Sequence, residues 1–274
     1  MLLAFVAVYG GAWLTTERFG ASRAVAWLEP DTGDLHRFPS RPVPAGGPVL
    51  ELPAGAPLDL GQLWGLADPW RCSSRPTRQR CWWCRAANCG TSGTPPTQDP
   101  SSCARPSPPS SRYLLLEGLV LQRATGRPVS EYLSERLWLP MGAEADASWS
   151  LDSDRSGFEK MESGLNAVAR DDARFGLLYA RSGRADGRQV VPESWVRRAT
   201  SAQAADGPAD FYAFLWLTRA GRGNPLPAGH ALAQGNLGQY VYVAPDRDLV
   251  IVRLGDDTDV EDWPQRLAQL AERL

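Results

Sequence analysis

Lysine is almost absent from this chain: Lys160 is the one lysine among 29 basic residues, and the rest are arginine. Histidine is nearly as scarce, with only His36 and His230. Chemistry that needs a buried neutral lysine or a pair of histidines therefore has few places to reside. No apolar run approaches the ~18–20 residues of a membrane-spanning helix, so no spanning helix is expected. The opening MLLAFVAVYGGAWLTTERF has neither a basic leader nor a small-residue cleavage site, which argues against a secretory signal. A cytoplasmic protein with reduced cysteines is the expectation. Strong charge of one sign is missing too. A net charge of -2 and a pI near 5.8 give no electrostatic basis for nucleic acid or a membrane surface as partner.

Aliphatic residues are nearly missing from one stretch, residues 71–112, and all five cysteines lie within it: Cys72, Cys81, Cys84, Cys89 and Cys103. No helical or strand period lasts there, so the stretch reads as an irregular Cys/Arg/Ser/Pro-rich segment. Cys81-Trp-Trp-Cys84 is a C-x-x-C, and with Cys89 and Cys103 it offers four thiolates to a structural zinc. Zinc ribbons present two paired knuckles, whereas one pair stands here, so metal is the minor alternative and no cofactor is expected. The composition also matches an out-of-frame reading of GC-rich DNA. If that is its origin, a neighbouring frame of the coding DNA spells a tyrosine-bearing box just before Tyr113; frames without one rule it out.

What is present divides the chain into three. Residues 1–70 read as strands and turns, with hairpins at Gly10-Gly11 and around Glu29–Asp34, then an irregular Pro/Gly-rich connection over 39–61. After the 71–112 segment, residues 113–274 are richly patterned. Tyr113 opens an apolar helix that ends near Gly126. Pro128 opens a second helix, with Tyr132, Leu133, Leu137 and Trp138 on one face. Asn166 or Asp171 is positioned to cap a third, and Pro192 starts a fourth. Residues 232–244 and 248–254 read as two long antiparallel strands about Pro245-Asp246-Arg247. An amphipathic helix carrying Trp263, Leu267 and Leu270 closes the chain.

Four blocks in series, LLLEGLVLQRATGRPVSEYLSERLWLPMG, GFEKMESGLNAVARDDARFGLLYARSG, DGRQVVPESWV and AQGNLGQYVYVAPDRDLVIVRLG, resemble the C-terminal half of the β-lactamase and penicillin-binding-protein superfamily. The similarity is to its class C-related branch of 6-aminohexanoate-dimer hydrolases and esterases. Residues 4–19 are similar to the first hairpin of that fold. The resemblance implies an α/β fold, an antiparallel sheet with helices on both faces and a helical subdomain. It further implies hydrolysis of a small-molecule amide or ester through an acyl-serine intermediate, without metal or organic cofactor.

In that family a Ser-x-x-Lys pair supplies nucleophile and base, a Tyr-x-Asn box assists, and a strand donates a backbone N–H to the oxyanion. The strand box matches Ala233-Gln234-Gly235, which makes Gly235, Asn236, Gly238 and Gln239 the candidate oxyanion and substrate segment, with the Asn236 N–H as donor. On the residues alone these glycines fit a β-bulge equally well. The other boxes fail. Gly157 stands three residues before Lys160, so the chain contains no Ser-x-x-Lys, and the Tyr-x-Asn positions fall on Pro108 and Ser110. Tyr113 is the remaining catalytic candidate, set against a role as a buried helix-start aromatic. The alternative function is a catalytically inactive or degenerate relative, or a binding remnant. Lys160 reads as a surface or local ion-pair residue; His230 stands just before the strand box, where it could line the cleft, and reads as a turn residue because no nucleophile is there for it to activate. Trp138, Trp149, Trp195 and Trp216 read as core.

Overall fold

A computed structural model of the chain describes residues 38–52, 54–55, 80–85, 88–91, 111–161, 163–201, 212–220, 224–255 and 263–274. The hairpins expected before residue 38, and Cys72 and Cys103, lie outside the described residues.

The architecture is set by an eight-stranded sheet in the order β2 (Ala54–Gly55), β4 (Asn88–Thr91), β3 (Arg80–Arg85), β15 (Leu249–Leu254), β14 (Tyr240–Ala244), β13 (Ala231–Gln234), β10 (Trp216–Leu217), β9 (Tyr212–Ala213). Its centre is β13 (Ala231–Gln234), β14 (Tyr240–Ala244) and β15 (Leu249–Leu254), each antiparallel to the next. Every residue of β14 and β15 is buried, because both faces are covered. Alternation assigns the faces. Tyr240, Tyr242, Leu249 and Ile251 pack with Trp263, Leu267 and Leu270 of the closing helix α5 (Trp263–Arg273). Val241, Val243, Val250 and Val252 pack on the opposite side with Ala173 and Leu177 of α3 (Ala169–Ala180). Gly176 sets the distance there: a Cβ at that position would stand 2.6 Å from Val250 Cγ1, so the bare backbone lies directly on the sheet.

A smaller sheet in the order β1-β5-β6 is built from β1 (Ser40–Val43), β5 (Ala147–Ser150) and β6 (Leu165–Asn166). It shares a core with α2 (Val129–Leu133), which runs on as a π-helix over Ser134–Trp138. The remaining elements are β2 (Ala54–Gly55), β3 (Arg80–Arg85), β4 (Asn88–Thr91), α1 (Ser111–Thr125), α4 (Glu193–Ala199), β9 (Tyr212–Ala213) and β10 (Trp216–Leu217). Short hairpins at β7/β8 (Arg184–Ala185, Arg188–Gln189) and β11/β12 (Arg219–Ala220, Asn224–Pro225) complete them. The expected combination of antiparallel sheet, helices on both faces and an α/β composition is what the fold shows.

Four expectations are corrected. The 39–61 connection contains β1, whose register pairs Ser40 with Ser150 and Val43 with Ala147. Pro42 is tolerated because β1 is the edge strand, where a missing N–H costs least. The 71–112 segment is not irregular throughout, since β3 and β4 form an antiparallel hairpin and β3 pairs along β15 from Leu249↔Arg85 to Leu254↔Arg80. Pairing to a neighbouring strand imposes this order where the local pattern gives none. Neither Asn166 nor Asp171 caps α3; the N-cap is Val168, with no side-chain cap bond. Finally, residues 232–244 are not one strand but two, broken by a turn at Asn236–Gly238.

Candidate functional site

β13 and β14 are joined by a three-residue turn, Asn236–Gly238, and the Gly235 N–H donates to the Gln239 carbonyl at 2.8 Å to close it. Reversal requires two successive positive φ angles, 57° at Leu237 and 78° at Gly238. Glycine takes this conformation freely, while Leu237 gives up about 1 kcal/mol. The turn is held from below. The side chain of Gln239 donates to the Gly255 carbonyl and accepts from the Gly255 N–H at 3.1 Å, and the Arg253 guanidinium donates to the Gly238 carbonyl. Arg253 is fully buried, lies 4.3 Å from the Trp263 ring centroid and pairs in register with Tyr240. Burial pushes the Tyr240 hydroxyl pKa up, and the charge of Arg253 only partly offsets it. A cation thus lies against the turn, donating to the Gly238 carbonyl, while Gln239 ties the turn to Gly255.

The neighbouring hairpin reaches the same end of the sheet. β10 pairs with β13 through Trp216↔Ala233 and Leu217↔Leu232, so residues 215 and 214 continue past the end of the pairing toward Gln234 and Gly235. The two-residue connection between β9 and β10 is Phe214–Leu215, with φ of 47° and 73°. Two positive φ angles are the pattern of a type I′ turn, a place ordinarily given to Asn and Gly. Two bulky residues hold it here. Behind this hairpin Trp216 stacks with Phe175 of α3 at a centroid distance of 6.2 Å and meets Tyr179, tilted, at 4.4 Å. Burial raises the pKa of the Tyr179 hydroxyl, against hydrogen bonds with Trp216 and Trp195 that lower it.

The other residues singled out by sequence are distributed widely. Tyr113 lies on the first turn of α1. Cys81 and Cys84 are on β3 and Cys89 on β4, with Cys84 and Cys89 opposite each other in register. Among the described residues no group of three or more His, Cys, Asp or Glu is arranged to hold a metal. Lys160 makes a cation–π contact, its Nζ 3.8 Å from the Phe38 ring centroid. His230 is buried, with Nδ1 at 2.7 Å from the Tyr242 hydroxyl and Nε2 at 2.6 Å from Asp246 Oδ1. That bridge fixes the chain just before β13. Trp138, Trp149 and Trp216 are core as expected, but Trp195 is 40% exposed.

Two buried polar clusters had no sequence signal. Glu159 accepts from the N–H groups of Val129 and Ser130 at the start of α2, from Ser130 Oγ at 2.6 Å and from Arg41 at 2.7 Å. Burial pushes its pKa up, yet the hydrogen bonds from Ser130, Arg41 and the backbone win and hold it below the usual carboxylate range. Asp171, with the N–H groups of Glu144 and Ala145, and Arg174, with Asp171, Glu144 and the Leu50 carbonyl, form the second. Each ties segments more than twenty residues apart, which one-dimensional spacing does not reveal.

The sequence profile of the family described as Beta-lactamase matches residues 110–273. The 6-aminohexanoate-dimer hydrolase of Paenarthrobacter ureafaciens is 29% identical over 157 residues, which is 53% of this chain and 38% of that protein. A solved structure from Bacillus anthracis, named as a 6-aminohexanoate-dimer hydrolase, superposes with a TM-score of 0.50 at 27% identity, covering 61% of this chain and 46% of the other. A β-lactamase structure from Mycobacterium bovis gives a TM-score of 0.46 at 20% identity, over 60% of this chain and 63% of that one. The chain spans less than half the length of the two hydrolase relatives.

Proposed function

We propose, from the premise that this chain belongs to the beta-lactamase family, that it hydrolyses an amide or ester bond of a small molecule through an acyl-serine intermediate, without a cofactor. One observation carries the reading. The family's strand box stands at a turn whose two left-handed residues are kept in place by Gln239 and by the buried Arg253.

Attack on a carbonyl moves negative charge onto its oxygen, and fixed donors stabilise that charge without reorganising at the moment of reaction. The Asn236 N–H is the donor assigned to this role, and Gly235 and Gly238 let the chain's backbone approach the substrate. Successive N–H groups in such a turn converge to one side, as in anion-holding nests. The positive charge of Arg253 beneath the turn favours an anion above it. Because the sequence has no Ser-x-x-Lys, the serine needs a proton acceptor other than lysine, and Tyr113 is the candidate. A cytoplasmic location belongs to this reading; among the described residues no helix is long and apolar enough to cross a membrane.

The missing Ser-x-x-Lys also favours a second reading, in which the turn binds amides or esters without turning them over. Purified chain incubated with a nitrophenyl ester separates the two. Turnover beyond one equivalent supports the hydrolase, whereas saturable binding without released nitrophenol supports the binding protein and overturns hydrolysis.

A further inference from the structure

Phe214 is 43% exposed and Trp195 40%, and their rings meet at 4.9 Å between centroids, tilted by 55°. The guanidinium of Arg198 stands 5.3 Å from the Phe214 centroid, and among the described residues it has no carboxylate partner. One residue away along α4, Arg197 reaches Glu193 at 3.8 Å, so the helix supplies a carboxylate to one arginine and leaves the other to the aromatic pair.

Three independent features converge on this patch. Two large aromatic side chains in contact are left partly open to solvent, although Trp195 also reaches the Tyr179 hydroxyl. The chain holds Phe214 and Leu215 at φ of 47° and 73°, an arrangement in which asparagine or glycine is favoured, so the ring is presented at a conformational cost. The hairpin tip also lies at the same end of the sheet as the Gly235–Gln239 turn, because β10 and β13 are adjacent and antiparallel. A ring held out at this position, with a cation over it, is suited to a ligand rather than to packing.

We propose that Trp195, Phe214 and Arg198 form a subsite for an aromatic group bearing a carboxylate. The rings stack on the aromatic plane and Arg198 receives the anion. As a description of the substrate this rests on the hydrolase reading above, in which the aromatic carboxylate is part of the amide or ester whose carbonyl reaches Asn236. Binding at the patch is independent of turnover and is tested without it.

The full chain is titrated with phenylacetate, hexanoate and benzyl alcohol, followed by the indole N–H resonance of Trp195 in nitrogen–proton correlation spectra. Phenylacetate is expected to bind about fivefold more tightly than hexanoate, which lacks the ring, and than benzyl alcohol, which lacks the charge. Phe214→Asn is expected to weaken phenylacetate about fivefold while its melting temperature stays level or rises, since asparagine accepts positive φ more readily. A side chain retained for packing would instead lower the melting temperature. Arg198→Gln, on an exposed helix face, is expected to remove the preference for phenylacetate over benzyl alcohol. Equal binding of phenylacetate and hexanoate, no binding of phenylacetate, or unchanged binding by folded Phe214→Asn overturns the subsite. Loss of ester turnover with these preferences intact overturns only the hydrolase reading; turnover without them overturns only the subsite.

Discussion

Replacement of Arg174 by alanine is expected to destabilise the fold by about 3–5 kcal/mol, the cost of breaking a buried ion pair from one side. Its side chain and that of Asp171 are both fully buried, 3.0 Å apart. The same guanidinium donates to Glu144 at 2.8 Å and to the Leu50 carbonyl at 2.9 Å. Alanine leaves the Asp171 carboxylate buried without its cation and removes the bond that holds the Leu50 carbonyl to α3. Against a total stability of about 5–15 kcal/mol for a domain, this is a large share. Denaturant unfolding at pH 7 measures it, and a loss under about 1 kcal/mol would show that the cluster is solvated in solution.

The second large effect has the opposite sign. Asp172 is 7% exposed, and among the described residues its Oδ2 has no hydrogen-bond partner. Burial, and secondarily the charge of Asp171, push its pKa up to about 8. Below about pH 4 folded and unfolded chains both hold the proton, and this residue makes no difference. Between about pH 4 and 8 the unfolded chain has released it and the folded chain has not, so stability falls by about 1.4 kcal/mol per pH unit. Above that window the penalty is constant. Asp172→Asn removes the titration and is therefore expected to raise stability at pH 7 by about 2–3 kcal/mol, after the cost of burying an amide, and to give no gain at pH 4. Parallel stability–pH curves for the two proteins between pH 5 and 8 would contradict it. The lowered pKa of Glu159 acts elsewhere: its contribution is present above the unfolded value and is lost as pH falls through the folded one.

Elements whose information is local were legible in the sequence. The 3.6-residue stripe of Trp263, Leu267 and Leu270 gives α5, Pro192 marks the start of α4, and β14 and β15 declare themselves by β-branched runs about Pro245. Elements made by distant partners were not. β1 is a strand because Ala147–Ser150 lies beside it, and β3 because β15 does. The candidate site was half legible: Gly235 and Gly238 announced a special backbone, yet ALAQGNLGQYVYV reads as one strand until Leu237 and Gly238 are seen with positive φ. Phe214 and Trp195 gave no signal, since apolar residues are expected inside and only the hairpin geometry shows these two outside.

The chain's fluorophosphonate adduct tests the hydrolase claim most directly, because the probe needs an activated serine and reads it by mass. One adduct per chain, on a single serine and blocked by prior incubation with an ester substrate, is the predicted result. A folded chain, shown by a cooperative melt, that takes up no adduct under conditions labelling a control serine hydrolase would contradict it.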